Sequence, residues 1–120
     1  MHELSVCQGL LAEVERIAQA NGGGRVSEIH LAIGPLSGVE APLLERAFTI
    51  SRAGTCAADA ELTISAMPVT VRCRNCGGGG EAASNRLLCP ECGDWQVDLA
   101  SGDELRLTEV TLQSDEPALN

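Results

Sequence analysis

Two short runs decide how this chain folds: Cys73-Arg74-Asn75-Cys76-Gly77 and Cys89-Pro90-Glu91-Cys92-Gly93, with twelve residues between Cys76 and Cys89. Each Cys-x-x-Cys places two thiols on one tight turn. Two such turns facing each other make a tetrahedral cage of four sulfurs. Zinc fits that cage, because it has no d-electron geometry preference and binds thiolate strongly. The glycine after each pair suits a backbone that curls around an ion with positive φ. In a closed four-thiolate site the metal is structural, so Cys73, Cys76, Cys89 and Cys92 read as zinc ligands and the segment should unfold without metal.

Other uses of the four cysteines fit less well. Two disulfides need an oxidising compartment, and Met1-His2-Glu3 leads into a charged helical pattern with Glu13, Glu15 and Arg16, not into a secretory signal. A redox Cys-x-x-Cys usually stands alone beside a βαβ unit. Iron is also held by four thiolates, but Trp95 is the one aromatic near the cage to shield such a centre. Cys7 and Cys56 lie outside the pairs and read as inert buried thiols.

On either side of the cysteines the chain alternates helix and strand. Leu4, Cys7, Leu10, Leu11, Val14, Ile17 and Ala18 fall on one helical face and predict a helix over about 4–20. Asn21-Gly22-Gly23-Gly24 stops it. Ile29, Leu31 and Ile33 alternate with Glu28, His30 and Ala32, which predicts a strand with one buried face and His30 on its polar side, assigned to no metal. A second helix starts near Pro42, with Leu43, Leu44, Ala47, Phe48 and Ile50 as its apolar side, and stops near Gly54. Leu62, Ile64 and Ala66 give a second strand running on toward Val69 and Val71 and straight into the cysteines. The four glycines Gly77–Gly80 read as a flexible loop. A last strand starts at Glu104. Leu105 and Leu107 share one parity and Val110 and Leu112 the other, so either a bulge lies near Thr108-Glu109 or both faces are partly covered.

The expected architecture is α+β: two helices on a small sheet of about three strands, with a four-cysteine zinc-finger unit inserted between two of them. Residues 1–70 with 101–113 form the α/β part, 71–100 the zinc part, and 114–120 a flexible tail. Phe48 and Trp95 are the only aromatics, so aliphatic side chains must build the core. The net charge is −9, and a zinc–thiolate cage adds roughly −2. Such a surface repels phosphates and argues against a nucleic-acid partner. No apolar run reaches the ~18 residues a bilayer demands, so the protein is expected in the cytoplasm with no membrane partner.

The chain start offers nitrogen donors: the Met1 amine, the first amides and the His2 imidazole. Successive main-chain nitrogens form five-membered chelate rings and favour a planar array that suits Ni(II) or Cu(II) and not zinc. Glu3 could add its amide nitrogen or a carboxylate oxygen. The His2 amide has only two cis neighbours in a square plane, so the amine, the imidazole and the Glu3 amide cannot all occupy them, and one donor must sit elsewhere. No Ser-His-Asp or Cys-His constellation is present, which points to a protein that is not an enzyme.

Met1-His2-Glu3-Leu4-Ser5, Gly34-x-Leu36-Ser37-Gly38-Val39, the two cysteine pairs and Ser101-Gly102-x-Glu104-Leu105, in that order and from residue 1 to about 113, resemble the HypA/HybF hydrogenase maturation nickel metallochaperones. The resemblance implies a transient Ni(II) cargo on His2, with Met1 and Glu3 contributing through the backbone, and structural zinc on the four cysteines. It implies work with the GTPase HypB and the large subunit of [NiFe] hydrogenase, with urease maturation proteins served by some members, and leaves a homodimer open. Gly78-Gly79-Gly80 departs from the family, which carries bulkier, often aromatic residues there. The rival classes are a zinc-ribbon adaptor between proteins and a nucleic-acid-binding ribbon, neither with a nickel role.

Overall fold

A computed structural model describes residues 2–113; Met1 and the tail expected at 114–120 lie outside the described residues. The element order is α1 (His2–Ala20), β1 (Arg25–Ile33), α2 (Ala41–Ser51), β2 (Glu61–Ala66), β3 (Thr70–Cys73), β4 (Gly79–Glu81), β5 (Val97–Ser101) and β6 (Leu105–Gln113). The strands form two three-stranded sheets, ordered β2-β1-β6 and β4-β3-β5. The chain packs as two compact units. Among the described residues, one comprises 2–31, 40–64 and 107–113, the other 32–39 and 65–106, with boundaries inside β1, β2 and β6.

In the first unit, Cys7, Leu10, Leu11, Val14 and Ala18 of α1 are buried, as are Leu44, Ala47 and Phe48 of α2 and Val26, Ile29 and Leu31 of β1. These are mostly the residues whose spacing of three, four or two marks one face of each element. Leu43 and Ile50, expected on the buried side of α2, are instead exposed, Ile50 by 74%. They sit seven positions apart, on a stripe that the narrow contact through Leu44, Ala47 and Phe48 does not reach. Pro42 lies in the first turn of α2, where its missing N–H costs nothing. The end of α1 is as expected: the Gly23 N–H donates to the Ala18 carbonyl at 2.7 Å, with Gly22 and Gly23 at positive φ. Leu105, Leu107, Val110 and Leu112 of β6 are all half-buried, so both of its faces are partly covered.

His30 is half-buried on β1 and pairs its Nε2 with Glu28 Oε1 at 3.0 Å. That hydrogen bond, opposed by desolvation and aided by the charges of Glu109, Glu28 and Glu61, holds the imidazole's proton above its ordinary value of 6.5. The paired imidazolium therefore stabilises the fold below about pH 6.5, and that contribution is lost as pH rises through the elevated value. Glu28→Gln is expected to move the His30 titration, followed by NMR of the ring protons, down toward 6.5. An unchanged midpoint would show that Glu28 is not the cause.

In the second unit, Met67, Val69, Val71 and Cys73 are buried on one parity, with Ile33 and Cys89. This corrects the expectation of one strand running from Leu62 into the cysteines. The buried parity changes between Ala66 and Met67. Pro68 lacks the N–H a ladder needs, so β2 ends and β3 starts in a different sheet. Gly79 and Gly80, read as part of a flexible loop over Gly77–Gly80, belong to strand β4, paired antiparallel to β3 with Arg72 opposite Gly79. On the other side of β3, β5 places Val97 opposite Cys73.

Gly34 and Gly102, taken from two separate motifs, meet in this unit. The Gly34 N–H donates to Glu104 O and the Leu36 N–H to Gly102 O, both at 2.8 Å. A Cβ on Gly34 would overlap the Gly102 carbonyl and lie 2.8 Å from its Cα. Backbone cannot step aside as a side chain can. Gly34→Ala is expected to cost about 1–3 kcal/mol, read as a lower urea midpoint with unchanged slope.

Candidate metal centre

The cage follows from where β3 stops and β5 starts. Cys73 is the last residue of β3, and its N–H donates to Gly78 O at 2.7 Å, closing the first turn. The Cys89 N–H donates to Asp94 O at 2.9 Å and closes the second turn in the same way. Gly77 (φ 77°) and Gly93 (φ 80°) take the left-handed step after each pair, which only glycine takes without strain.

The four sulfurs all lie within 4.8 Å of one another. Cys73 and Cys92 are 3.6 Å apart, as are Cys76 and Cys89. A disulfide needs about 2.05 Å, so these are not bonded pairs. A tetrahedral ion with metal–sulfur bonds of about 2.3 Å sets its ligands about 3.8 Å apart, and the observed spacing is that of such a shell. Cys73 and Cys89 are buried, whereas Cys76 and Cys92 are exposed.

Backbone amides point at the sulfurs in a repeated pattern. Asn75 and Cys76 N–H donate to Cys73 Sγ at 3.3 and 3.4 Å, and Glu91 and Cys92 N–H donate to Cys89 Sγ at the same two distances. Gly78 N–H donates to Cys76 Sγ at 3.4 Å. These bonds stabilise thiolate. The Cys92 and Glu91 amides outweigh desolvation and hold Cys89 down at about 7. At Cys76 the Gly78 amide pulls downward, but the neighbouring sulfurs of Cys89, Cys92 and Cys73, with burial, push the thiol up to about 12. Four negative sulfurs cannot crowd together at neutral pH without a cation among them. The donor set and the amides thus fit a thiophilic divalent ion.

The remaining sequence candidates fall elsewhere. Met1 lies outside the described residues. His2 opens α1 and is exposed, and its carbonyl accepts the Ser5 hydroxyl at 3.1 Å. Glu3 is only 7% exposed. Its Oε2 accepts the Glu40 N–H at the start of α2, at 3.2 Å. This bond, with a further one from its own amide, holds the Glu3 carboxyl below the usual carboxylate range. That tie is invisible in the sequence, because nothing in the spacing of Glu3 and Glu40 links the two helix starts. Cys7 is fully buried, and burial raises its thiol despite a bond to Ser51. Cys56 is half-buried beside Glu15, whose carboxylate accepts the Cys56 N–H at 3.0 Å. Trp95 is 73% exposed and does not shield the sulfurs.

An α+β chain whose four cysteines gather into one cage has the donor set of a metal-binding protein. A family model described as hydrogenase/urease nickel incorporation, metallochaperone, hypA, matches residues 1–112. The hydrogenase maturation factor HypA of Nitrosospira multiformis is 44% identical over 112 residues, covering 93% of this chain and 97% of its own. That of Aquifex aeolicus is 37% identical, covering 96% and 100%. The solution structure of the Ni metallochaperone HypA from Helicobacter pylori superposes with a TM-score of 0.73 at 26% identity, over 94% of this chain and 98% of that one. The chain belongs to the HypA family of nickel metallochaperones for hydrogenase maturation. A metallochaperone's role is metal delivery. Among the described residues no helix is long and apolar enough to cross a membrane.

Proposed function

We propose that the chain carries Ni(II) on its first residues and holds Zn(II) in the four-cysteine cage. The His2 imidazole is the principal nickel donor, with the Met1 amine and backbone nitrogen of His2 and Glu3 beside it. The observation that carries this reading is the start of α1 at an exposed His2. The first N–H groups of a helix have no intrahelical acceptor, so their deprotonation breaks no helical bond. A cation beside intact amides would oppose the helix dipole, whereas deprotonated amides reverse that local charge. The Glu3 carboxylate is held by the Glu40 N–H and by its own amide, so nickel on the Glu3 backbone nitrogen would replace only the second of these bonds. Because protons must leave for nickel to bind, affinity falls as pH drops, which suits a carrier that must also release its cargo.

The 71–100 segment is the zinc-binding part and lies wholly within one compact unit. Residues 1–70 and 101–113 form the nickel-binding part, of which 32–39, 65–70 and 101–106 pack in the compact unit that holds the cage. Zinc, when bound, supplies a structural cross-link between the two cysteine turns. The partners are the GTPase HypB, a fellow maturation factor, and the large subunit of [NiFe] hydrogenase, which receives the nickel, with urease maturation proteins as a second destination, all in the cytoplasm. The test is a nickel titration on tag-free protein with an intact N-terminus. One nickel per chain, with the absorption of a planar nitrogen-ligated ion, is expected. Nickel found only among the thiolates would overturn the assignment.

A further inference from the structure

The glycines at 77–80 have reasons that lie across the cage. Gly77 takes the positive-φ step, but Gly78 has no such φ, so conformational freedom does not explain it. Space does. A Cβ on Gly78 would run into the Glu91 carboxylate, 2.7 Å from its Cδ and 3.1 Å from Oε1. A Cβ on Gly80 would lie 3.1 Å from Pro90 Cγ. Pro90 and Glu91 are the two spacer residues between Cys89 and Cys92. Gly78, just before β4, and Gly80 within it thus each abut one spacer residue of the second cysteine turn.

One peptide unit links the two turns. The Gly78 carbonyl accepts the Cys73 N–H at 2.7 Å, and the Gly78 N–H, in the adjoining Gly77–Gly78 peptide, donates to Cys76 Sγ. The next amide, Gly79 N–H, donates to Glu91 Oε2 at 3.0 Å. Cys76 is one of the two exposed sulfurs, so it depends on this amide geometry more than the buried Cys73 does. We infer that the glycine run is the seat of the second cysteine turn, and that Glu91 is a positioning residue that acts through the Gly78–Gly79 peptide to keep the Cys76 sulfur at the metal. This rests on the reading of the cage as a zinc site. It makes Glu91 a determinant of how fast metal leaves, with Cys76 as the first ligand to let go.

The experiment uses full-length protein loaded with one Zn(II), and measures the rate of zinc transfer to a coloured chelator. Circular dichroism reports the fold, and Co(II) substitution reports the thiolate shell. Glu91→Ala is expected to speed release roughly three- to tenfold, as for the loss of one ordinary hydrogen bond on an exposed surface. Glu91→Gln keeps a carbonyl oxygen for the Gly79 amide and should release near the wild-type rate. Gly78→Ala should displace the carboxylate and match Glu91→Ala, and the double variant should be no faster than either single one. The Co(II) spectrum should still show four thiolates in every variant. Wild-type release by Glu91→Ala or Gly78→Ala overturns the inference, as does Glu91→Gln releasing as fast as Glu91→Ala. If the wild-type chain takes up no zinc at the thiolates, the zinc reading itself has failed. If it holds zinc and only the Glu91 variants disagree, the cage stands and the role of Glu91 falls.

Discussion

Replacing Cys73 and Cys76 together by alanine is expected to empty the cage and unfold residues 71–100, while α1 and α2 keep their structure. The size of the effect follows from how little else holds this segment. Strands β3, β4 and β5 are four, three and five residues long, and such short pieces are not stable alone. Val71 is the one aliphatic residue buried in 71–100 besides the sulfurs of Cys73 and Cys89. The Arg74–Asp98 ion pair is largely exposed and is worth little. Zinc binding by small four-ligand peptides supplies about 10–16 kcal/mol at neutral pH, far more than these contacts together. Loss of two thiolates removes most of that. The helices have their own core in Leu10, Leu11, Val14, Leu44 and Phe48, so their circular dichroism should persist. Metal analysis is expected to fall from one zinc per chain to none, and amide exchange across 71–100 should lose its protection. Zinc retained at one equivalent would sink the four-thiolate assignment.

The cage was legible in the sequence because two Cys-x-x-Cys-Gly runs admit few geometries. Both helices and β1 were legible because a single buried face imposes a period, and Ile29, Leu31 and Ile33 or Leu10, Leu11 and Val14 display it. The second sheet was not. Gly79 and Gly80 of β4 have no side chains to alternate, and β5 buries little, leaving Leu99 exposed. The change of sheet does leave one mark in the sequence. The buried parity switches at Ala66–Met67, two residues before a proline-broken ladder resumes at Thr70, and a switch of face beside Pro68 marks a change of sheet. The Glu3–Glu40 tie and the Glu91–Gly79 bond could not be read at all, because each joins a side chain to a backbone amide far along the chain. Periodicity records which face is apolar and carries no information about which amide a carboxylate finds. The glycine run shows the cost: composition alone reads as slack, whereas the neighbours make it a fitted surface.

His2→Ala is expected to abolish stoichiometric nickel binding and to leave zinc, fold and melting temperature unchanged. The fold should not respond, because His2 is exposed and only its backbone carbonyl is engaged, by Ser5. The buried stripe of α1 begins after it, at Glu3 and Cys7. Nickel should respond strongly, because the imidazole closes the chelate begun by the amine and the amide. Groups one step removed from a metal already cost about 10–100-fold when lost, so losing a direct donor should weaken binding by roughly a hundredfold or more. A second variant separates the donor set from the side chain alone. Two residues added before Met1 keep His2 but turn the terminal amine into an amide, and the same loss is expected in calorimetry. If the extended chain binds as wild type while His2→Ala does not, nickel uses the imidazole without the amine. If His2→Ala binds as wild type, the cargo sits elsewhere, and the exposed start of α1 is only a helix end.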